Sequence, residues 1–195
     1  MLKKITALLL ALVLVLAFAA CGQNAQGTPD DNASKPSESA QASEPVLTMA
    51  TNAQFPPYEF YDGETIVGID AEIAGLIAEK LGMTLQIEDM EFDSVVISAS
   101  TGKADIAMAG LTVREDRLEY VNFTSTYAIG KQVIIVKEGS GIASPDDLEG
   151  KSIGVQLATT GDIYITEDLV DAGLASIERY NKGADAVQAL ISGKI

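Results

Sequence analysis

Histidine is absent from the 195 residues, and cysteine occurs once. Without imidazole there is no histidine-based zinc site, no Ser-His-Asp triad and no Cys-His pair. Any catalysis would have to rest on carboxylates, Lys, Tyr or Ser, and the expectation is no catalytic residue, no metal and no cofactor. Positive charge is scarce as well: 13 Lys and Arg stand against 28 Asp and Glu, a net charge of −15. Nucleic acid rewards basic surfaces, so it is excluded as a partner. Docking on anionic lipid through a basic patch is excluded on the same ground.

Long apolar runs are rare too, with one exception at the start. Lys3 and Lys4 precede an almost wholly apolar stretch of 16 residues, Ile5 to Ala20, and small residues lead into Cys21. This is the layout of a secretory signal, and it is short against the about 20 residues of a bilayer span. Ala19-Ala20-Cys21-Gly22 resembles the bacterial lipoprotein lipobox, with Phe18 where that motif usually carries Leu. The resemblance implies lipidation of Cys21 and anchorage to a membrane through several acyl chains. The alternative is ordinary cleavage after Ala20, leaving a free thiol. Losing Lys3 and Lys4 takes the basic residues to 11 against 28 acidic, a net charge of −17. Residues 22–45, "GQNAQGTPDDNASKPSESAQASEP", hold no Leu, Ile, Val or aromatic residue. They are expected to form a disordered tether.

From Val46 short apolar strands alternate with helical patterns, the signature of an α/β fold. Strands are expected at 46–51, 84–89, 104–109, 131–137, 151–156 and 176–180. Between the first two, Ile73, Leu76, Ile77 and Leu81 share a helical face, with Asp70 as N-cap and Gly82 as stop. Phe92, Val95, Val96 and Ala99 mark a second helix, 114–121 a short one, and "TTGDIYITEDLVDAG" and "ADAVQALIS" two more. The Gly/Ser/Pro-rich break "EGSGIASPDDLEGK" separates a lobe at 46–137 from a second, partial lobe at 138–195. Each lobe contains a helix that runs into Thr-Gly-Lys or Ser-Gly-Lys (101–103 and 192–194), a repeat that marks equivalent places.

In open parallel sheets ligands sit beyond the carboxyl ends of the strands. Three segments fall there. "NAQFPPYEF" offers Phe55 as a flat apolar wall. "AGLTVREDR" offers Gly110 for close backbone approach, Thr112 as hydroxyl and N–H, and Arg117 as a bidentate carboxylate clamp. "LATTGD" places Thr159 and Thr160 at a helix start, where N–H groups favour an anion. Each piece has a bland counterpart: a solvated helix face for the arginine, a cap for the threonines, plain core for Phe55. Jointly they point to one small carboxylate ligand held between two lobes.

"FPPYEF", "GIDAEIAGLIAEKLG", "GKADIAMAGLTVREDRLEYVNFTSTY", "LEGKSIGVQLATTG" and "ALISGKI" resemble the bacterial extracellular solute-binding proteins of family 3, the amino-acid receptors of ABC importers. The resemblance implies a two-lobed, periplasmic-binding-protein-like type II (Venus flytrap) α/β fold of open mixed sheets flanked by helices, with the second lobe incomplete. It implies a free amino acid as ligand and ABC permease subunits as partners. By position, Arg117 would pair with the α-carboxylate, helped by Thr112 and Thr160. Gly110 and Thr112 would accept from the ammonium. Phe55 and Phe92 would flank the side chain, with Asn52, Ala109, Gln156 and Thr159 lining the rest. Family members continue after Gly193-Lys194-Ile195 with an Asp, a strand and a further Asp for the ligand's ammonium. The chain is therefore expected to be a fragment that binds weakly or not at all. Two rivals stay open: a dehydratase-type enzyme of the same fold, and a ligand-sensing domain of a membrane receptor.

Overall fold

The computed structural model describes residues 44–195; the signal segment, Cys21 and most of the tether lie outside the described residues. Strand β1 (Val46–Thr51) is the centre of a parallel sheet, flanked by β5 (Thr84–Asp89) and β6 (Ile106–Ala107). Between β1 and β5 run β2 (Gln54–Phe55), β3 (Glu59–Asp62) and β4 (Thr65–Val67), a small antiparallel sheet. The expected loop after β1 is thus a meander. Its short, aromatic-rich strands gave too brief a period-2 signal to be read from the sequence.

Helix α1 (Ile69–Leu81) starts at Gly68 and ends at Gly82 in the left-handed conformation. Gly68 has φ of 123°, and a Cβ there would strike the Tyr58 carbonyl, so no larger residue fits. The inward face is rotated from the one expected, with Ile73 and Ile77 half-buried at its edge. Ala71, Ala74 and Ala78 are buried, whereas Leu76 and Leu81 are 58% and 59% exposed. Alanines spaced three and four apart allow close approach to the sheet, which the larger side chains would prevent. Nor is Asp70 the cap: it lies one turn position inside, fully buried.

Helix α2 (Phe92–Ser100) covers the other side, and Val95 joins Ala50, Ala104 and Ala109 in the core. The strand expected at 104–109 shrinks to β6, although Asp105 and Met108 N–H groups still bond to the Thr48 and Ala50 carbonyls. The short helix expected at 114–121 is α3, Glu115–Leu118. The strand expected at 131–137 is absent. Among the described residues nothing forms a ladder with it, and Val133 and Ile135 stay 75% and 62% exposed. An apolar pattern supplies an extended chain, but a strand needs a hydrogen-bonded neighbour.

The remainder is a parallel pair, β7 (Ser152–Gln156) with β8 (Ser176–Tyr180). Helix α4 (Thr160–Ile165) joins them, widening into a π-turn at Thr166–Val170. Helix α5 (Gly183–Ser192) follows and packs against both strands. All three sheets are open, two of them parallel and one antiparallel.

Candidate functional site

Strand polarity gathers the expected residues. Asn52 directly follows β1, Phe92 opens α2 after β5, and Ala109 and Gly110 follow β6. Gln156 ends β7, and Thr159 and Thr160 begin α4. The carboxyl ends of both parallel sheets therefore meet at one place, as ligand crevices in open sheets do.

Arg117 is the centre. It is 7% exposed, in α3, with its guanidinium 5.6 Å from the centre of the Phe92 ring. Nη1 donates to the Thr112 carbonyl at 3.1 Å and Nη2 to the Ala158 carbonyl at 3.2 Å. It thus touches both halves of the molecule. The ion pairs among the described residues are Arg114–Asp116, Arg179–Asp162 and Lys194–Glu178. Arg117 is in none of them. Burial pulls its pKa down, with the nearby Asp116 pushing the other way. A guanidinium largely out of water, bonded to two carbonyls and to no carboxylate among the described residues, has the chemistry to receive one.

Other expected residues are partly committed elsewhere. Asn52 is buried; its Nδ2 donates to the Met90 carbonyl at 2.8 Å, and its Oδ1 accepts from Gln156 Nε2 at 3.0 Å. The same Gln156 nitrogen reaches the Asn181 carbonyl. This pair stitches the two halves together, so ligand lining is not its only use. The Ala109 side chain is in the core cluster and only its backbone is available to a ligand. Phe55 is half-exposed, stacked on Tyr58 at 5.5 Å. Its ring edge lies 3.0 Å from where a Cβ on Gly110 would stand, and Gly110 has φ of 56°. The Thr112 hydroxyl side is exposed while its carbonyl serves Arg117.

Thr159 caps α4: its hydroxyl accepts from the Asp162 N–H at 3.3 Å and donates to the Gln156 carbonyl at 2.7 Å. This is the capping role named above as the bland alternative for the threonines. Thr160 is buried at the first position of α4. That helix has six residues before it widens, which leaves little aligned dipole behind it.

Two polar groups behind the site escaped the sequence reading. Asp162 is buried; its carboxylate accepts from the Ala158 N–H at 2.9 Å and from Arg179 Nε at 2.8 and 3.1 Å. Arg179 also donates to the Thr166 hydroxyl at 2.7 Å. Together they hold Ala158 at φ of 62°, rare for a residue with a Cβ, with its carbonyl on Arg117. The signal was present as Thr159-x-x-Asp162, the spacing of a capping box. On the other side, Asp70 accepts from the Gly110 N–H at 2.9 Å and from the Tyr127 hydroxyl at 2.7 Å. Glu59, 1% exposed, is buried beside Asp70. Burial, then the neighbouring Asp70, pushes its pKa up to about 9. Burial and the bond to Asp70 likewise hold the Tyr127 proton on beyond its usual range.

Known proteins resemble this chain in sequence and fold. The arginine-binding extracellular protein ArtP of Bacillus subtilis is 32% identical over 192 residues, which cover 98% of this chain and 70% of ArtP. The L-arginine-binding protein of Pseudomonas aeruginosa is 27% identical over 79% of this chain and 60% of its own length. An ancestral arginine-binding protein solved with arginine superimposes with a TM-score of 0.72 at 36% identity, over 77% of this chain and 67% of the other. The chain therefore spans about 60 to 70% of the length of these relatives. The α/β fold is of the periplasmic-binding type II class. Residues 47–195 match the sequence profile of one family throughout, and the chain belongs to the bacterial extracellular solute-binding proteins, family 3.

Proposed function

We propose that this chain captures a free L-amino acid outside the cytoplasm and delivers it to the permease subunits of an ABC importer. One observation carries the reading: the buried Arg117 guanidinium, reached by carbonyls from both halves and paired with no carboxylate among the described residues. An amino acid's α-carboxylate supplies the missing counter-charge in planar, bidentate geometry. Gly110, Thr112 and Thr160 surround that end, and Phe55 and Phe92 flank the side chain. The lobes are those at 46–137 and 138–195. Arginine is the first ligand to try, because the relatives above are arginine-binding.

Capture is favoured over turnover. Asp70, which accepts from the Gly110 N–H, is buried and committed to Gly110 and Tyr127, so this carboxyl is not presented to a substrate for proton transfer. Anchorage through lipidated Cys21 completes the proposal. Incorporation of a fatty-acid label that vanishes in Cys21→Ala checks it.

Amide chemical shifts of the full chain, followed while L-arginine is raised into the millimolar range, test the site and detect even weak binding. Shifts should cluster at Gly110, Thr112 and Thr160 and disappear in Arg117→Met, which keeps much of the side chain's length without its charge. Shifts elsewhere only, or a response that survives Arg117→Met, would remove Arg117 as the anchor.

A further inference from the structure

The reading above uses Arg117 and the Gly110 loop but leaves unexplained why two carboxyl groups lie buried together beneath that loop. Glu59 is on β3 and Asp70 in the first turn of α1, with 1% and 0% of their surfaces exposed. Two neighbouring buried acids cannot both be charged cheaply. Asp70 already accepts at both oxygens, from the Gly110 N–H and the Tyr127 hydroxyl. Glu59, whose pKa burial raises, is therefore the acid that keeps its proton at neutral pH. The second Glu59 oxygen, Oε2, is buried without a partner among the described residues, as suits a neutral acid better than an anion.

The three groups on Asp70 come from three separate stretches of chain. Gly110 follows β6 and stands beside Phe55. Tyr127 lies in the irregular segment between α3 and β7, which leads from the first sheet to the second. Glu59 belongs to the small antiparallel sheet that carries Phe55. Gripping the Gly110 N–H from below turns the peptide and fixes the height of that loop. We propose that the buried Glu59–Asp70 pair is the positioning element of the amino-acid site, sharing one proton so that Asp70 can hold the Gly110 loop and the Tyr127 segment at once. The inference rests on the amino-acid-binding reading for its consequence, though not for its geometry.

The titratable groups facing Glu59 are Asp70 from α1 and Tyr127 from the linking segment, and Tyr127 in turn has Tyr58 beside it, from the turn before β3. The neighbouring strands β2 and β4, Gln-Phe and Thr-Ile-Val, carry none. Ionising Glu59 sets a second negative charge against Asp70 and loosens both of its other bonds. Since the Glu59 pKa sits at about 9, that loosening falls on the alkaline side of neutrality.

The test compares the full-length chain with Glu59→Gln and Glu59→Leu in two readouts. The first is amide exchange at Gly110, corrected for its intrinsic base dependence, from about pH 7 to about pH 10.5. The second is L-arginine affinity over the same range. Gln keeps a donor for Asp70 and does not ionise; Leu keeps neither donor nor charge. Wild-type protection of Gly110 should fall roughly tenfold or more above pH 9. Glu59→Gln should stay protected throughout, and Glu59→Leu should be unprotected at every pH. Affinity should follow the same order, with the Gln variant restoring what Leu loses. The ligand's own ammonium titrates equally in all three, so only differences between them count. Matching Gly110 profiles for wild type and Glu59→Gln overturn the proposal, even if Glu59→Leu does not fold. If arginine binds nowhere, the amino-acid reading fails for that ligand while Gly110 exchange still decides the positioning role.

Discussion

The sheet built on β1 and the sheet built on β7 deliver loops to the same site with different support beneath them. Under β1, Met49, Ala50 and Val95 have no exposed surface, and Leu47, Ala74 and Ala78 have 5% or less. Around β7 and β8 the buried apolar residues are Leu148 and Ala189. Ile153, Val155 and Ile177 keep partial exposure. An open apolar cavity of about 1070 Å³ lies between Ile134, Ile153, Leu169 and Leu190. Polar bonding takes up part of the role: Asp162, Arg179 and Thr166 brace the loop that carries Ala158. One half of the site stands on packed side chains and the other on a charge-assisted network.

Substitutions that treat the halves alike should break this contrast if it is wrong. Met49→Ala empties a fully buried position and should cost about 3 kcal/mol. Ile153→Ala, partly solvated already, should cost about 1 kcal/mol. Urea unfolding midpoints measure both, and equal losses would mean that the second sheet is packed as tightly as the first. Next in size, Asp162→Ala leaves the Ala158 N–H without its acceptor and Arg179 without its partner, at about 2 kcal/mol. Asp162→Asn should recover part of that. The loss should show as faster exchange in β7 and α4 and leave β1 unaffected.

Glu59 sharpens the contrast through pH. Its folded pKa of about 9 lies above the ordinary value of 4.5, so between those limits the native state binds a proton the unfolded state has released. Stability from this group is full below about pH 4.5, falls as pH rises and levels off above about 9. Glu59→Gln should flatten that slope, and melting temperatures at intervals across the window check it. Asp147, in the exposed turn before β7, moves the other way. Hydrogen bonds from the Ala143 and Ser144 backbone lower its pKa, so its contribution is lost as pH falls.

Alternation of strand and helix was legible because it is local: β1, β5, β7, β8, the body of α5 and the Gly82 stop of α1 all carry their signals within a few residues. The carboxyl-end rule then brought Arg117, Gly110 and Thr160 to one place. What escaped depends on partners distant in sequence. Residues 131–137 read as a strand from composition alone, yet pairing is a property of two segments. Asp70 has cap chemistry in its local sequence, and only Gly110 and Tyr127, 40 and 57 residues away, give it another role. Glu59 sits among aromatic residues, where an acid is out of place unless it is neutral. That was the one sequence clue to the pair.

The smallest expected effect tests the most instructive misreading. The sequence reading took the stripe of large residues on α1 as its inward face, since transfer energy alone favours burying them. Packing decided otherwise, because α1 lies close enough to the sheet for Ala74 to be wholly buried. Leu76 then contributes little beyond helix propensity, in which Leu and Ala differ slightly. Leu76→Ala should change stability by no more than about 0.5 kcal/mol. A loss of about 2 kcal/mol or more would mean that the large stripe is covered in solution, and α1 would then belong to an interface as well as to the core.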